Sequence, residues 1–332
     1  MTTDPQLDLR EPTALFRFPA PHRPARETPP MSVAGAAATA EDLERMAAVL
    51  EAAGTYRVLR RLTAPTSLPA DDSPKRRAVF VDVETTGLDH DRDEVIELAM
   101  AAFDYTIDGR VLGIRESFQS FRDPGRPLPP VVTRLTGITD EMLVGKSVDA
   151  DRVAGFLADA ALVLAHNASF DRPFCERLSP RFAALPWGCS FRDIQWADEG
   201  FESARLGHLA IGHGLYFSGH RALDDCVAAV AILARPLPVS GRTAMAALLS
   251  SARAARCRVL AAGAPFAARG SLKARGYRWD GRDRPSRGWY VDVDEEGLAH
   301  ERAFLRDEVY RRADPQIEVR SISAIDRYSD RC

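Results

Sequence analysis

The stretch Ala78-Val79-Phe80-Val81-Asp82-Val83-Glu84, running on into Thr85-Thr86-Gly87, decides how the rest of the chain is read. A short apolar run rich in valine with a phenylalanine reads as a strand buried on both faces. Asp82 and Glu84 interrupt it near its end, and residues two apart on a strand point to the same face. Two carboxylates side by side in an apolar element are costly unless something neutralises them. A hard divalent cation, Mg²⁺ or Mn²⁺, does so because it prefers carboxylate oxygens. A solvent-facing edge strand carrying two harmless acids is the plain alternative. Taken alone, the stretch favours a metal only slightly, and the neighbouring sequence has to decide.

Outward from this strand, segments alternate in the manner of an α/β domain over 75–238. The runs 95–105 and 111–121 read as two further strands joined by an Asp108-Gly109 turn. A short buried strand is expected at 162–165. Helical patterns cover 131–136, 149–158, 169–177, 206–212 and 222–234, and the prolines of 235–239 close the domain. Acids recur at the element ends. Asp171 follows the fourth strand in His166-Asn167-Ala168-Ser169-Phe170-Asp171, and Asp224 and Asp225 open the last helix in His220-Arg221-Ala222-Leu223-Asp224-Asp225. Helix capping accounts for each aspartate separately. It explains neither the acids inside the first strand nor a histidine five residues before Asp225. In open α/β sheets, sites form at the carboxyl ends of strands, where Asp82, Glu84 and Asp171 would all lie.

Residues 1–38 carry seven prolines among arginines and small residues and read as a disordered tail, with Leu15, Phe16 and Phe18 as a conceivable docking motif. A short helical segment and linker follow over 39–74. A helix starts near Thr39 with Leu43, Met46, Leu50 and Ala53 at helical spacing, Gly54 stops it, and 56–62 continues as a second helix. The pair is either a docking element or a cap on the next domain. Residues 239–332 read as a small basic and aromatic α+β domain. It comprises a helix over 243–256, a strand over 258–262, a hairpin formed by 272–279 and 288–293, a helix over 295–311 and a strand over 317–322. Between residues 251 and 290 there are ten lysines and arginines against two aspartates, interleaved with Phe266, Tyr277, Trp279, Trp289 and Tyr290. Cations beside stacking aromatics suit single-stranded nucleic acid, while tryptophans packing a small core under solvated arginines fit equally well.

With 332 residues, 45% hydrophobic, 27% charged and a formal net charge of −3, the composition is that of a soluble globular protein with no global nucleic-acid signature. Five scattered cysteines without a CxxC pair argue against a zinc ribbon or disulfide framework and for a reducing, cytoplasmic setting. No apolar stretch approaches a membrane span, so no membrane partner is expected.

The three motifs Asp82-Val83-Glu84-Thr85-Thr86-Gly87, His166 to Asp171 and His220 to Asp225 resemble those of the DEDDh 3′–5′ exonucleases, a family that includes the epsilon proofreading subunit of bacterial DNA polymerase III and the oligoribonucleases. Leu135-Thr136-Gly137-Ile138-Thr139 is similar to the segment between their first two motifs. The resemblance implies a ribonuclease H-like mixed five-stranded sheet with flanking helices. Mapped by motif, Asp82, Glu84, Asp171 and Asp225 are the metal-ligating acids and His220 the catalytic histidine, Asp225 being preferred to Asp224 because it lies five residues after the histidine. Two divalent cations, Mg²⁺ or Mn²⁺, would be expected about 3.5–4 Å apart, with Asp82 bridging them, Glu84 and Asp225 on the water-binding ion, and Asp171 on the second. His220 would take the proton from the attacking water. Thr85 and Leu88 would hold the terminal 3′ nucleotide, and His166 and Asn167 would shape the site. The implied partners are a single-stranded 3′ end, DNA in preference to RNA, a polymerase or replication protein acting in trans, and a nucleoside monophosphate product. Trimming of RNA and a non-catalytic nucleic-acid-binding module are the competing readings.

Overall fold

The computed structural model describes residues 38–65, 73–281, 288–329 and 331. The tail expected over 1–38, the middle of the linker and the polar turn of the C-terminal hairpin thus fall, wholly or nearly so, outside the described residues. The chain separates into two compact units, one ending at Arg57 and the other beginning at Val58. In the first, α1 (Ala40–Ala52) starts at a reciprocal cap. Thr39 Oγ1 accepts the Asp42 amide at 3.2 Å, and the Asp42 carboxylate accepts the Thr39 amide at 3.0 Å. The second helix expected over 56–62 does not form. Arg60–Arg61 is instead a short strand, β1, parallel to Leu215–Tyr216. The amides of Arg60 and Leu62 donate to the carbonyls of Gly214 and Tyr216 at 2.9 and 2.8 Å. Partners fixed elsewhere in the fold outcompete a helix too short to nucleate by itself.

In the second unit β2 (Lys75–Thr85), β3 (Val95–Thr106) and β4 (Val111–Phe121) form a meander. Its second turn depends on Gly109, whose φ of +91° is open to glycine, and a Cβ there would lie 2.5 Å from the Ala246 backbone. Helices α2 (Pro130–Thr136), α3 (Asp140–Leu143) and α4 (Ala150–Phe156) carry the chain across to β5 (Ala160–Ala165). Then come α5 (Ala168–Leu178), β6 (Trp187–Cys189), α6 (Leu206–Gly212), β7 (Leu215–Tyr216), α7 (Ala222–Leu233) and α8 (Ala244–Arg253). The sheet order is β4-β3-β2-β5-β6, with β3 antiparallel to both neighbours and β5 and β6 parallel to β2. This is a mixed, ribonuclease H-like sheet with helices on both faces.

The twofold alternation of β2 positions the site. Val79, Val81 and Val83 pack with Val153, Phe174 and Cys175 on the side of α4 and α5. Ala78 and Phe80 pack with Cys226 and Val230 on the side of α7. Asp82 and Glu84 continue the second series, so they emerge toward the start of α7.

The small sheet β11-β8-β10-β9 follows, built from β8 (Arg256–Ala261), β9 (Arg278–Asp280), β10 (Gly288–Val293) and β11 (Glu318–Ile322), all antiparallel. Helices α9 (Arg269–Ala274) and α10 (Glu295–Phe304) complete it, α10 running on into a π-helical turn over Leu305–Tyr310. The first arm of the expected hairpin is shorter than its sequence suggested. Residues 272–274 belong to α9, because Leu272 is fully buried among Val259, Tyr277, Phe304 and Leu305. No helix among the described residues is long and apolar enough to cross a membrane.

The C-terminal part is bound tightly to the larger sheet. Met245, Leu248 and Leu249 of α8 are buried in the same core as α7. Past β11 the chain returns to the edge of the large sheet, where the Ala324 carbonyl accepts the Trp187 amide at 2.8 Å. Arg172 of α5, fully buried, donates to the carbonyls of Arg327 and Ile325 at 2.6 and 2.5 Å and pairs with Glu176 at 2.6 Å. Removing this cation strands the buried Arg327 carbonyl and leaves Glu176 and the Ile325 carbonyl to Arg331 alone. Arg172→Met should therefore cost about 3–5 kcal/mol in chemical denaturation. A loss under about 1 kcal/mol would mean that the C-terminal segment does not dock there.

Candidate active site

The acids meet where β2 ends. Asp82 and Glu84 lie on one face of the strand, and a register slip between Glu84 and Thr85 breaks the ladder with β3 immediately beyond them. Asp225 is in the first turn of α7, and its carboxylate accepts the His220 amide at 2.8 Å. One oxygen each from Asp82, Glu84 and Asp225 lie within 4.8 Å of one another. Asp171, in the first turn of α5, is buried and lies outside that tight trio, but it is close enough for its charge to raise the pKa of both Asp82 and Glu84. The Val83 amide, on β2, is among the backbone groups that favour its charged form.

The electrostatics are those of a site short of positive charge. Burial, then repulsion from Asp171, Asp225 and Glu84, drives Asp82 well above the carboxylate range. Burial and Asp225 raise Glu84 to about 8, with Arg221 only partly opposing them. Asp171 and Asp225 are each pushed to about 7, again chiefly by burial. Four crowded oxygen donors with little compensation fit a hard divalent cation, whose charge would allow all of them to ionise. Without metal, groups whose pKa is higher folded than unfolded stabilise the fold while protonated, and that stability is lost as pH rises through the folded values. In EDTA the thermal midpoint should accordingly fall between about pH 5.5 and 8.5 as groups near 7 and 8 ionise. At the upper end, Mg²⁺ or Mn²⁺ at about 100 times its Kd should restore about 5–10 °C. A midpoint indifferent to both pH and metal would refute the shared-charge reading.

His220 immediately precedes Arg221 and the start of α7, with a φ of +67°, a left-handed conformation uncommon for histidine. Much of the ring faces solvent, yet its crowded side disfavours the imidazolium and lowers its pKa. At neutral pH it is an uncharged base.

Thr85 is nearly buried, and its hydroxyl donates to the Gly87 carbonyl at 2.6 Å. That turn is tightened by Asp93, whose carboxylate lies 2.4 Å from where a Cβ on Gly87 would stand. Leu88 projects outward, 69% exposed. His166 Nδ1 lies 2.9 Å from Ser190 Oγ and its ring meets Phe191 edge-on. Burial lowers its pKa to about 4, too weak a base to compete with His220 for a proton. Asn167 precedes α5 and is exposed. Asp224 is exposed as well and is not one of the trio, although its charge helps to raise Asp225.

Sequence reasoning missed Glu97. It is fully buried on β3, opposite Glu84, and accepts from Gln119 Nε2, from Arg221 Nη2 at 3.2 Å and from the Ala222 amide at 3.3 Å. It thus fastens the start of α7 to the sheet. The available signal was the one that exposed Asp82, an acid inside an apolar strand.

Residues 79–233 match the family described as Exonuclease. The DNA polymerase III subunit epsilon of Treponema pallidum is 32% identical over 154 residues, covering 43% of this chain and 68% of that protein. The PolC-type DNA polymerase III of Latilactobacillus sakei is 43% identical over 98 residues, 29% of this chain and 6% of the polymerase, so the chain spans only a small fraction of such polymerases. Among solved structures, Exonuclease X in complex with 5′-overhanging duplex DNA is 27% identical with a TM-score of 0.38, covering 52% of this chain and 99% of that one. Sustained over two thirds of the spirochaete subunit, the likeness places this chain in the exonuclease family to which DNA polymerase III epsilon belongs.

Proposed function

We propose that the protein is a metal-dependent 3′–5′ exonuclease of the DEDDh type that removes nucleoside monophosphates from the 3′ end of single-stranded DNA, in proofreading or repair. The observation carrying this reading is the convergence of Asp82, Glu84 and Asp225 from distant parts of the sequence, with Asp171 electrically joined to them. Two divalent cations, when bound, would supply charge neutralisation and a more acidic water. Within that scheme Asp82, central to the repulsion, is the acid to be shared. Glu84 and Asp225 would complete one oxygen set, and Asp171 would serve the other. His220, neutral at pH 7, receives the proton of the attacking water. The hydrogen bond from its backbone amide to Asp225 ties its main chain to the acidic cluster.

The Thr85 hydroxyl and the turn that follows it would hold a terminal 3′ nucleotide. Exposed Leu88 is available as a wedge against the last base. His166 and Asn167 shape the wall before α5. The free thiols of Cys175, Cys189, Cys226 and Cys257 suit a reducing cytoplasm. A polymerase or replication protein partner follows from the kinship with epsilon.

The deciding experiment is a time course on 3′- and 5′-labelled DNA and RNA oligomers with Mg²⁺, Mn²⁺ or EDTA. A metal-dependent ladder shortening from the 3′ end of DNA is expected. Shortening of RNA alone would make this an exoribonuclease, and intact strands throughout would make it a binding module.

A further inference from the structure

Apart from the acids, the molecule holds a polar cavity of about 530 Å³, walled on one side by the large sheet's loops and α5 and on the other by the C-terminal sheet. Ser169, in the first turn of α5 two residues before Asp171, lines it, as do Arg192, Arg256, Arg258, Arg278 and Tyr290. Its charge is lopsided. Counting Arg327, five arginines line it against the two carboxylates Asp193 and Asp292. Both acids are already engaged. Asp292 accepts Arg258 at 2.7 and 2.9 Å and Arg278 at 3.1 Å, and Asp193 pairs with Arg327. Among the described residues, Arg192 and Arg256 have no carboxylate at ion-pair distance, and the Arg256 Nε hydrogen is buried without an acceptor. Arg258 and Arg278 lie against the Tyr290 ring at 4.2 and 5.0 Å, which fixes their guanidinium planes.

We propose that this cavity is a phosphodiester-binding site, holding the backbone of a single-stranded nucleic acid upstream of the bond cut at the acidic site. The inference rests on the nuclease reading for its connection to hydrolysis, but not for binding itself. An exposed guanidinium without a carboxylate partner, Arg192, and a buried Nε–H without an acceptor, on Arg256, suit phosphate oxygens, which accept in the same fork geometry as a carboxylate. Ser169 of α5 and His90 of the turn after β2 both line the cavity, so the elements that carry Asp171 and Leu88 border it, and Arg256, among the arginines that the sequence shows crowded over 251–290, then has an anionic partner.

The test uses the full chain with Arg192→Glu, which reverses charge at an exposed position, and separately with the pair Arg192→Gln and Arg256→Gln. Binding of 20-nucleotide DNA and RNA is measured in Ca²⁺ across a salt series, and kcat and KM in Mg²⁺. Both variants should weaken 20-mer binding at least about tenfold, and the double variant should flatten the salt slope by about 1.4, the value for two lost single-strand phosphate contacts. The loss should appear in KM and be smaller for a tetranucleotide. Equal loss for DNA and RNA means backbone recognition alone, and a DNA-only or RNA-only loss identifies the strand that occupies the cavity. Unchanged 20-mer affinity and slope in the exposed variant overturns the site. Absence of hydrolysis by the wild type sinks the nuclease reading while leaving the binding result to stand alone.

Discussion

Asp82→Asn should yield a folded protein whose hydrolysis is reduced about a thousandfold or more. The side chain keeps its size but loses the charge that sits at the centre of the repelling group, where Asp171, Asp225, Glu84 and Glu97 all raise its pKa. If metal ions contribute several kcal/mol of transition-state stabilisation, removing the acid shared between them forfeits most of it, and each 1.36 kcal/mol is tenfold in rate. The same change relieves repulsion in the metal-free protein. The expected signature is therefore twofold: weaker Mn²⁺ binding by calorimetry, and a higher thermal midpoint than wild type in EDTA near pH 8. A collapsed fold would predict the opposite shift in midpoint, so inactivity through misfolding is distinguishable. Mn²⁺ affinity equal to wild type would show that Asp82 is not the shared ligand.

The parts of the fold that were legible in the sequence are those with a strong period or a punctuating residue. β2 declared itself because valines and a phenylalanine fill both faces, and α6 because its apolar residues recur at helical spacing before Gly212. Trp187–Cys189 carries no pattern, since three residues are too few for one, and it is a strand only because β5 lies beside it. Leu272 was read as part of a strand although it belongs to a helix, for a single buried leucine satisfies either period. The site divides in the same way. Acids inside an apolar strand are anomalous, so Asp82 and Glu84 stood out, whereas Asp171 and Asp225 mimic ordinary caps and needed a motif to distinguish them. Glu97 was detectable as an acid inside an apolar strand, but its partners, like those of Arg172, were hidden for a common reason. Each is buried because of partners more than 20 residues away, Gln119 and Arg221 for one and the 325–327 carbonyls for the other, and no local pattern encodes such pairing.

His220→Asn isolates the proposed base from everything else at the site. Asparagine tolerates the left-handed backbone that His220 adopts, so the hydrogen bond from its backbone amide to the Asp225 carboxylate and the start of α7 are preserved. What is lost is a group that can take a proton, a contribution of about 10²–10⁴-fold for a positioned general base. The expected result is a fall of that size in kcat, with KM for a short oligonucleotide and Mn²⁺ affinity close to wild type. The pH profile discriminates further. Crowding lowers the pKa of His220 below its ordinary value, so at saturating metal the wild-type rate should fall only as pH drops below about 6.5, where the imidazole becomes protonated. The variant should lack that acid limb. A variant that keeps both the limb and the wild-type rate would mean that water loses its proton to another group. His166, held by burial at a pKa of about 4, would be a poor substitute at neutral pH.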